Sequence, residues 1–319
     1  MRAFALLRRC LFIGVFSTFG VGVAPVDAVQ AAEQQPIPGL GPVGPVVKLH
    51  GGFQFTEGPS ADRNGNIYFS DIPAEKIYKI DPTGKLSVFR EKSNNVNGTM
   101  VNAAGELVGC EMQGQVTVMG AEGKVVRTIA DKYEGKRFNA PNDLVIDAGG
   151  GVYFTDPHFR APTPLPQGVT AVYYATADGK VTRLVDDLKA PNGVILSPDE
   201  KTLYVIPSGQ AEMMAYEVLS PGKLGPGRVF CTLKQPEGQS GRGGDGLTVD
   251  KNGNLYITSA LGLQVFDPAG KALGIISLPE QPANCTFGIA DPRTIYVTAR
   301  TSLYAIPMEI AGHAFAQGK

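Results

Sequence analysis

Four oxygen-bearing side chains occupy one position of a pattern that recurs along this chain. The position is filled by Glu57, Asn142, Asn192 and Asp245, and Gly or Asp follows each of them directly. Two carboxylates and two amides suit a hard divalent cation, because Ca²⁺ binds about 6–8 oxygen atoms. The set contains no His or Cys, which argues against a dedicated zinc site. Taken singly, each dipeptide is also ordinary turn chemistry, but their shared position favours a metal site.

Other catalytic arrangements find little support in the sequence. A serine hydrolase would show Gly-x-Ser-x-Gly, whereas the nearest segment, 238–242, ends in Arg. The three histidines, His50, His158 and His313, suggest no catalytic triad. The chain has 29 basic and 30 acidic residues and a formal charge of −1. No clustered basic excess marks a nucleic-acid surface.

The four positions belong to a unit that recurs six times. Each unit has a polar opening residue, a loose strand, a turn and then an apolar strand centred on Tyr, as in 57–69 and 245–257. Weaker copies begin at Asn97-Gly98 and Phe287-Gly288. Successive units start about 40–53 residues apart, the period of β-propeller blades with four strands. The 40 Gly and 24 Pro residues also favour short strands and tight turns over long helices.

We therefore predict an all-β fold, a six-bladed β-propeller with four-stranded blades. The last unit is too short for four strands, and a strand-like segment at 46–50 precedes the first unit. This N-terminal strand is expected to complete the last blade and close the ring. A β-sandwich is the alternative architecture. Because the inner strands of a propeller surround a central channel, the four side chains should meet at one mouth of that channel.

The chain divides into four segments. Residues 1–31 combine early arginines, an apolar stretch shorter than a membrane span and a small-residue cleavage signal, which predicts a secretory signal peptide. A retained membrane anchor is the alternative. Residues 32–44 are expected to form a flexible leader, 45–308 the propeller and 309–319 a C-terminal tail. The signal peptide predicts a periplasmic or secreted protein without membrane contact after cleavage, by either the Sec or the Tat route.

Three cysteines remain after the predicted cleavage. Cys110, Cys231 and Cys285 are an odd set that permits at most one internal disulfide, and the chain has no CxxC motif. Their spacing therefore favours buried apolar thiols over a metal site.

Eight short motifs form a set that is specific in combination. They are Phe55-Thr56-Glu57-Gly58-Pro59, Gly109-Cys110-Glu111, the segment 133–139, Ala140-Pro141-Asn142-Asp143-Leu144, Tyr153-Phe154-Thr155-Asp156-Pro157, Ala190-Pro191-Asn192-Gly193, Gly244-Asp245-Gly246-Leu247 and Asn284-Cys285-Thr286-Phe287-Gly288. The set resembles the gluconolactonase and regucalcin (senescence-marker) family of six-bladed propellers, and within it the secreted bacterial gluconolactonases. The resemblance covers residues 45–308.

The resemblance implies a metal site and an activity. One divalent metal per chain, usually Ca²⁺, would be held at the positions of Glu57, Asn192 and Asp245. Asn142 matches a position that either binds the metal or faces the substrate. The implied activity is hydrolysis of sugar lactones of the glucono-1,5-lactone type.

Two segments depart from the pattern of many bacterial relatives. Met112-Gln113 stands where relatives have His after Cys-Glu. The segment His158-Phe159-Arg160 stands where they often have Pro-Tyr-Gly. Both segments should line the wall of the pocket. The predicted metal ligands are unaffected by these departures, but the identity of the substrate stays open.

The site residues can be given roles. Asp245 is the candidate general base, since it can touch the metal and also reach a water molecule, and Asn142 is the second catalytic candidate. Arg137 could hold the developing oxyanion or sugar hydroxyls, or it could be a solvated charge. Glu111 is either a pocket residue or a structural carboxylate. His158 could touch substrate or lie on a surface loop.

Together these features predict a metal-dependent hydrolase whose ion, as a Lewis acid, activates the carbonyl and the water. Its partner is a small-molecule sugar lactone. The alternatives are another lactonase or a phosphotriesterase on the same metal site, and a non-enzymatic ligand-binding propeller with structural calcium. The sequence leaves the oligomeric state open.

Overall fold

The computed structural model describes residues 35–315. The predicted signal peptide, the first residues of the leader and residues 316–319 lie outside the described residues. Residues 35–315 contain strands and turns and no α-helix, and hence no helix long and apolar enough to cross a membrane. Six antiparallel sheets of four strands each form the blades, and a short two-stranded hairpin adds a seventh small sheet. The predicted all-β, six-bladed propeller is confirmed.

In blades 1 to 5 the strands follow one another in chain order from the inner to the outer edge of the blade. Strand β1 is Val47–Gly51. Blades 1 and 2 consist of β2–β5 (Thr56–Ala61, Ile67–Asp71, Lys76–Ile80, Leu86–Glu91) and β6–β9 (Val96–Val101, Leu107–Glu111, Gln115–Met119, Val125–Ala130). The hairpin β10–β11 (Lys132–Tyr133, Lys136–Arg137) precedes blade 3, which is β12–β15 (Leu144–Ile146, Val152–Asp156, Ala171–Ala175, Val181–Val185). Blades 4 and 5 are β16–β19 (Pro191–Leu196, Thr202–Pro207, Glu212–Ser220, Lys223–Thr232) and β20–β23 (Leu247–Val249, Leu255–Ser259, Gly262–Phe266, Ala272–Ile276). Blade 6 contains β24–β26 (Pro282–Phe287, Thr294–Ala299, Ser302–Pro307).

The N-terminal strand closes the ring. Strand β1 pairs antiparallel with β26, and Val47 lies opposite Ala305, so β1 is the outermost strand of blade 6. This confirms the predicted closure. The predicted start of the sixth unit at Phe287-Gly288 is wrong, because the inner strand β24 ends at Phe287 and Gly288 follows it. Blade 6 lacks the polar residue followed by Gly that opens most of the other units. The nearest Gly lies just after the end of its inner strand, which explains the displaced prediction.

The repeated turn after each inner strand has a clear local cause. In blade 1, Asp62 Oδ1 accepts hydrogen bonds from the backbone N–H groups of Asn64 (2.9 Å) and Asn66 (2.8 Å). Gly65 takes the left-handed conformation (φ 82°) that lets the turn close. The hydroxyl of Tyr68 donates to Asp62 Oδ2 (3.2 Å), which ties the turn to the next strand. Blade 5 repeats the arrangement around Asp250, and this explains why Asp, Gly and Tyr recur at fixed offsets.

The described ends of the chain pack against the propeller. Ile37 and Leu40 are each only 7% exposed and join the apolar core of blades 5 and 6. Residues 35–44 thus differ from the flexible leader expected there, because two apolar side chains anchor the segment. In the predicted tail, Ile310 is buried and the His313 N–H donates to Val249 O (3.0 Å). Cys110, Cys231 and Cys285 are free and buried, as their spacing favoured.

Candidate metal-binding and catalytic site

Five polar side chains converge on the floor of one cavity at the mouth of the channel. The cavity has a volume of about 420 Å³. Its floor contains all four predicted metal ligands and one further amide, and each lies within two residues of the start of an inner strand. The five are Glu57, Asn97, Asn142, Asn192 and Asp245. The structure therefore brings the predicted set together and adds Asn97, which sequence reasoning treated only as the start of a weak repeat.

Backbone contacts between neighbouring blades hold these residues in a ring. The N–H of Gly98 donates to Asn142 O (2.7 Å), and the N–H of Gly193 donates to Asp245 O (2.9 Å). The ring is so tight that a Cβ atom on Gly58 would lie 2.1 Å from Asn97 O. The glycine that follows most opening residues is thus required by the close approach of adjacent blades as well as by turn chemistry.

Two residues replace this glycine with polar side chains. Asp143 of blade 3 and Asn284 of blade 6 occupy the corresponding positions, and the Asn284 Nδ2 donates to Asp143 Oδ2 (3.2 Å) across the channel. Each also accepts a hydrogen bond from the next backbone N–H, at 2.9 Å for Asp143 and 2.8 Å for Asn284. The pair forms a second polar layer behind the ring. The signal available in the sequence was the absence of Gly at these two positions.

Carboxylates also hold the segments that lead into the ring. Asp71, at the end of β3, accepts hydrogen bonds from the backbone N–H groups of Gln54 (3.0 Å) and Phe55 (3.1 Å). Asp156, at the end of β13, accepts hydrogen bonds from the backbone N–H groups of Asn139 (2.8 Å) and Ala140 (2.7 Å), shortly before Asn142. The approach of the chain to the cavity is therefore fixed by buried ionic hydrogen bonds in blades 1 and 3.

Buried carboxyl groups are concentrated on the floor of the cavity and in the polar layer directly behind it. Glu57 is 3% exposed, and burial, followed by the charge of Asp245, raises its pKa well above the usual value. Burial raises the pKa of Asp245 to about 7, and the charge of Asp143 adds to this effect. Burial also raises the pKa of Asp143 to about 6. Three clustered carboxylates of this kind are stabilised by a bound cation.

The donor set fits a hard dication. Asn97 Oδ1 is a buried amide oxygen without a hydrogen-bond partner, and Asn97 lines the cavity. An oxygen in this state favours a cation or substrate as its partner. Within residues 35–315, no three His, Cys, Asp or Glu side chains are arranged as a metal site. The candidate site instead combines Glu57 and Asp245 with amide oxygens, a combination suited to Ca²⁺ and unlike zinc sites.

Glu111 lies outside the lining of the cavity. It is fully buried and forms an ion pair with Arg90, Oε1 to Nη1 2.8 Å. It also accepts hydrogen bonds from Asn94, Gln115 and Thr117 at 2.6–2.8 Å. All of these contacts are within blades 1 and 2 and the loop between them, so the Glu111 carboxylate links these two blades.

Arg137 and His158 were also predicted to bind substrate, but unlike Asn142 they do not line the cavity. The Arg137 guanidinium donates to the backbone carbonyls of Asn139 (3.0 Å) and Met112 (3.4 Å), and it does not line the cavity. His158 is exposed, and its ring lies 4.7 Å from that of Phe159. Arg137 is thus an exposed side chain that binds backbone carbonyls, and His158 is exposed on the loop that follows β13.

Comparison with known proteins gives the family. The sequence model of the SMP-30/gluconolactonase/LRE-like region matches residues 55–301. The chain belongs to this family. The gluconolactonase of Zymomonas mobilis is 31% identical to it over 84% of this chain and 82% of the relative.

Two solved structures of similar chains share the fold. A gluconolactonase from Xanthomonas campestris aligns with a TM-score of 0.76 at 32% identity, over 83% of this chain and 89% of that one. The calcium-binding protein regucalcin from Agrobacterium tumefaciens aligns with a TM-score of 0.72 at 20% identity, over 84% and 95%, a likeness of fold.

In this member of the SMP-30/gluconolactonase/LRE-like family, residues of the segments 112–113 and 158–160 form part of the cavity wall. Met112 and Phe159, which stand in the two departing segments, both line the cavity. Arg160 lines it too, with φ 58°, in the left-handed region that favours glycine. The chain thus places a charged side chain in the lining of the cavity on a strained backbone conformation.

Proposed function

We propose that this protein is a metal-dependent hydrolase that opens lactones, with Ca²⁺ as its ion. The observation that carries the proposal is the convergence of Glu57, Asn142, Asn192 and Asp245 on one cavity floor. The family and the gluconolactonase relatives support the reaction type. The donor set supports the choice of a hard cation. The signal peptide predicted for residues 1–31 supports a periplasmic or secreted location. Cell fractionation and N-terminal sequencing of the mature protein would test this.

The ion would be held by the oxygen atoms of Glu57, Asn192 and Asp245, with Asn97 and Asn142 beside them. When bound, it would polarise the lactone carbonyl and offset the carboxylate charges. The chain itself supplies a fixed frame, because Asn192 Nδ2 donates to Asp245 Oδ1 (2.5 Å) and to Ser208 Oγ (3.1 Å). A site held in this way needs little rearrangement during reaction.

The protein's own residues complete the reaction. Asp245 accepts a proton from the attacking water, whose oxygen bonds to the carbonyl carbon. The bond between that carbon and the ring oxygen then breaks, and the proton passes to the ring oxygen. The product is a hydroxy acid. Asn142 orients the carbonyl at the cavity floor.

The cavity beside the donor set favours an enzyme over a propeller with structural calcium alone. A structural ion needs only enclosing ligands, whereas a catalytic ion needs space for a substrate on one side. The volume of about 420 Å³ directly above the floor provides this space. A phosphotriester could enter the same space, so the activity test includes one.

The test is hydrolysis of lactones by the purified protein with chelator and then with added Ca²⁺. Activity should vanish with chelator, return with Ca²⁺ and fall at least about 100-fold in Asp245→Asn and Glu57→Gln. The matched control is Glu122→Gln, since Glu122 is exposed and pairs with Lys124 on the surface. Cleavage of a phosphotriester without cleavage of any lactone would overturn the lactonase proposal and support the phosphotriesterase alternative. Bound Ca²⁺ with neither activity would support the binding propeller.

A further inference from the structure

One wall of the cavity is built from apolar side chains. Ile72 and Met112 are 6% and 5% exposed and form a small core cluster with Ala140. Phe55 and Phe159 pack against that cluster and, with Ile72 and Met112, line the cavity. The wall is thus a packed surface held by its own core.

Most of the apolar side chains of the wall come from equivalent loops of three consecutive blades. Ile72 follows Asp71 at the end of β3, and Met112 follows Glu111 at the end of β7. Phe159 lies three residues beyond the end of β13, the corresponding strand of blade 3. Equivalent loops of consecutive blades therefore present apolar side chains to one side of the cavity.

Few polar groups are available to bind sugar hydroxyls near this wall. Glu111 and Arg137 are engaged with other protein groups outside the cavity. The Ser208 hydroxyl lines the cavity, but it donates to Gly244 O (2.8 Å) and accepts from Asn192. Apart from Arg160 and Ser208, the polar side chains lining the cavity belong to the floor.

A polyhydroxylated substrate suits this wall poorly. Glucono-1,5-lactone carries hydroxyls on C2, C3 and C4 and a hydroxymethyl group on C5, and each hydroxyl buried without a hydrogen-bond partner is costly. Binding of a hydrocarbon substituent in the same place is favoured, because the apolar surfaces of the substituent and of the wall are both removed from water. The chemistry of the wall thus discriminates between two lactones with the same reacting group.

We propose that the site takes a lactone whose ring carries an apolar substituent seated against Phe55, Met112 and Phe159. This inference rests on the lactone hydrolase proposed above and concerns its substrate class. It makes the wall a specificity device, while the floor performs the reaction common to all lactones.

The test compares two δ-lactones of the same ring size, δ-decalactone (with a pentyl chain) and glucono-1,5-lactone. We expect kcat/KM of the Ca²⁺-loaded protein to be at least about tenfold higher for δ-decalactone, after subtraction of spontaneous hydrolysis. Phe159→Ala should raise KM for δ-decalactone about tenfold and leave the rate on gluconolactone within about twofold. The control Phe89→Ala, on the outer strand of blade 1 against Tyr68, should leave both substrates unchanged.

The outcomes separate the inference from the function on which it rests. A preference for gluconolactone would overturn the inference and leave the lactone hydrolase intact. A preference for δ-decalactone that Phe159→Ala does not alter would overturn the assignment of the wall. If the folded, Ca²⁺-binding protein hydrolyses neither lactone, the proposed function itself fails, and the inference fails with it.

Discussion

The side-chain amide of Asn192 donates to the carboxylate of Asp245 across the boundary between blades 4 and 5, Nδ2 to Oδ1 2.5 Å. The two residues are 53 positions apart in the chain and lie side by side on the cavity floor. The same amide contacts Ser208 Oγ, which donates to the carbonyl of Gly244, the residue directly before Asp245. Ser208 thus links both candidate ligands without belonging to the ligand set.

Ser208→Ala should weaken Ca²⁺ binding about tenfold. The hydroxyl orients Asn192 and the backbone before Asp245, and groups that orient metal ligands typically contribute 10–100-fold to affinity. Titration calorimetry with Ca²⁺ measures this directly and does not depend on turnover. Ser87→Ala, on an exposed strand, is the control. An unchanged dissociation constant would show that Ser208 does not position the site.

Asn97→Ala should lower activity with little effect on stability. Asn97 Oδ1 has no partner, so its removal breaks no hydrogen bond, and the free energy of unfolding should change by less than about 1 kcal/mol. If the oxygen serves the metal or the substrate, kcat/KM or Ca²⁺ affinity falls at least about tenfold.

The control for Asn97 is the other buried and unpartnered side-chain oxygen in residues 35–315, that of Ser93. Ser93 does not line the cavity, so Ser93→Ala should leave activity, metal affinity and stability nearly unchanged. Equal behaviour of the two variants in all three measurements would contradict a functional role for Asn97.

Arg160→Gly should stabilise the protein by up to about 1 kcal/mol. Arg160 has φ 58°, and a side chain in the left-handed region costs about 1–2 kcal/mol relative to glycine, part of which the greater chain entropy of glycine offsets. Arg160→Ala is the comparison, because alanine removes the charged group but keeps Cβ. Denaturant unfolding should show the gain in the glycine variant only. The same gain in alanine would place the strain in the guanidinium instead of the backbone.

Glu280→Gln should destabilise the ring closure in a pH-dependent manner. Desolvation would raise the pKa of Glu280, but hydrogen bonds from Ser302, Thr301 and Tyr304 outweigh it and lower the pKa to about 2. The folded pKa is thus below the unfolded one. The stabilisation is complete above the ordinary glutamate pKa and is lost as the pH falls towards 2.

Chemical unfolding at pH 7 and at pH 3 measures this difference. Because Glu280 is partly exposed, we expect Glu280→Gln to cost about 1 kcal/mol at pH 7 and less at pH 3. Glu309→Gln, at an exposed position, should cost little at either pH. A cost for Glu280→Gln that grows on acidification would contradict the sign of the pKa shift.

Much of the architecture could be predicted from the sequence because each blade is a local unit. The turn around Asp62 and its copy around Asp250 are made by residues within six positions of each other, so their pattern is visible in the chain. Repetition of that unit predicts the number of blades. The shared opening position then predicts that Glu57, Asn192 and Asp245 meet at one mouth.

Only the tertiary structure decided which other groups join them and which do not. Asp143 and Asn284 are 141 residues apart, and only closure of the ring brings them into contact. Glu111 is turned into the core by Arg90, a partner that sequence spacing does not reveal.

The sequence by itself thus determined the repeated fold and four of the five residues on the cavity floor, because these depend on local turns and on a regular period. The wall of Met112 and Phe159, the linking hydroxyl of Ser208 and the anchored residues 35–44 depend on contacts between distant parts of the chain. Such contacts are chosen by packing and by the satisfaction of buried polar groups, which no local pattern encodes.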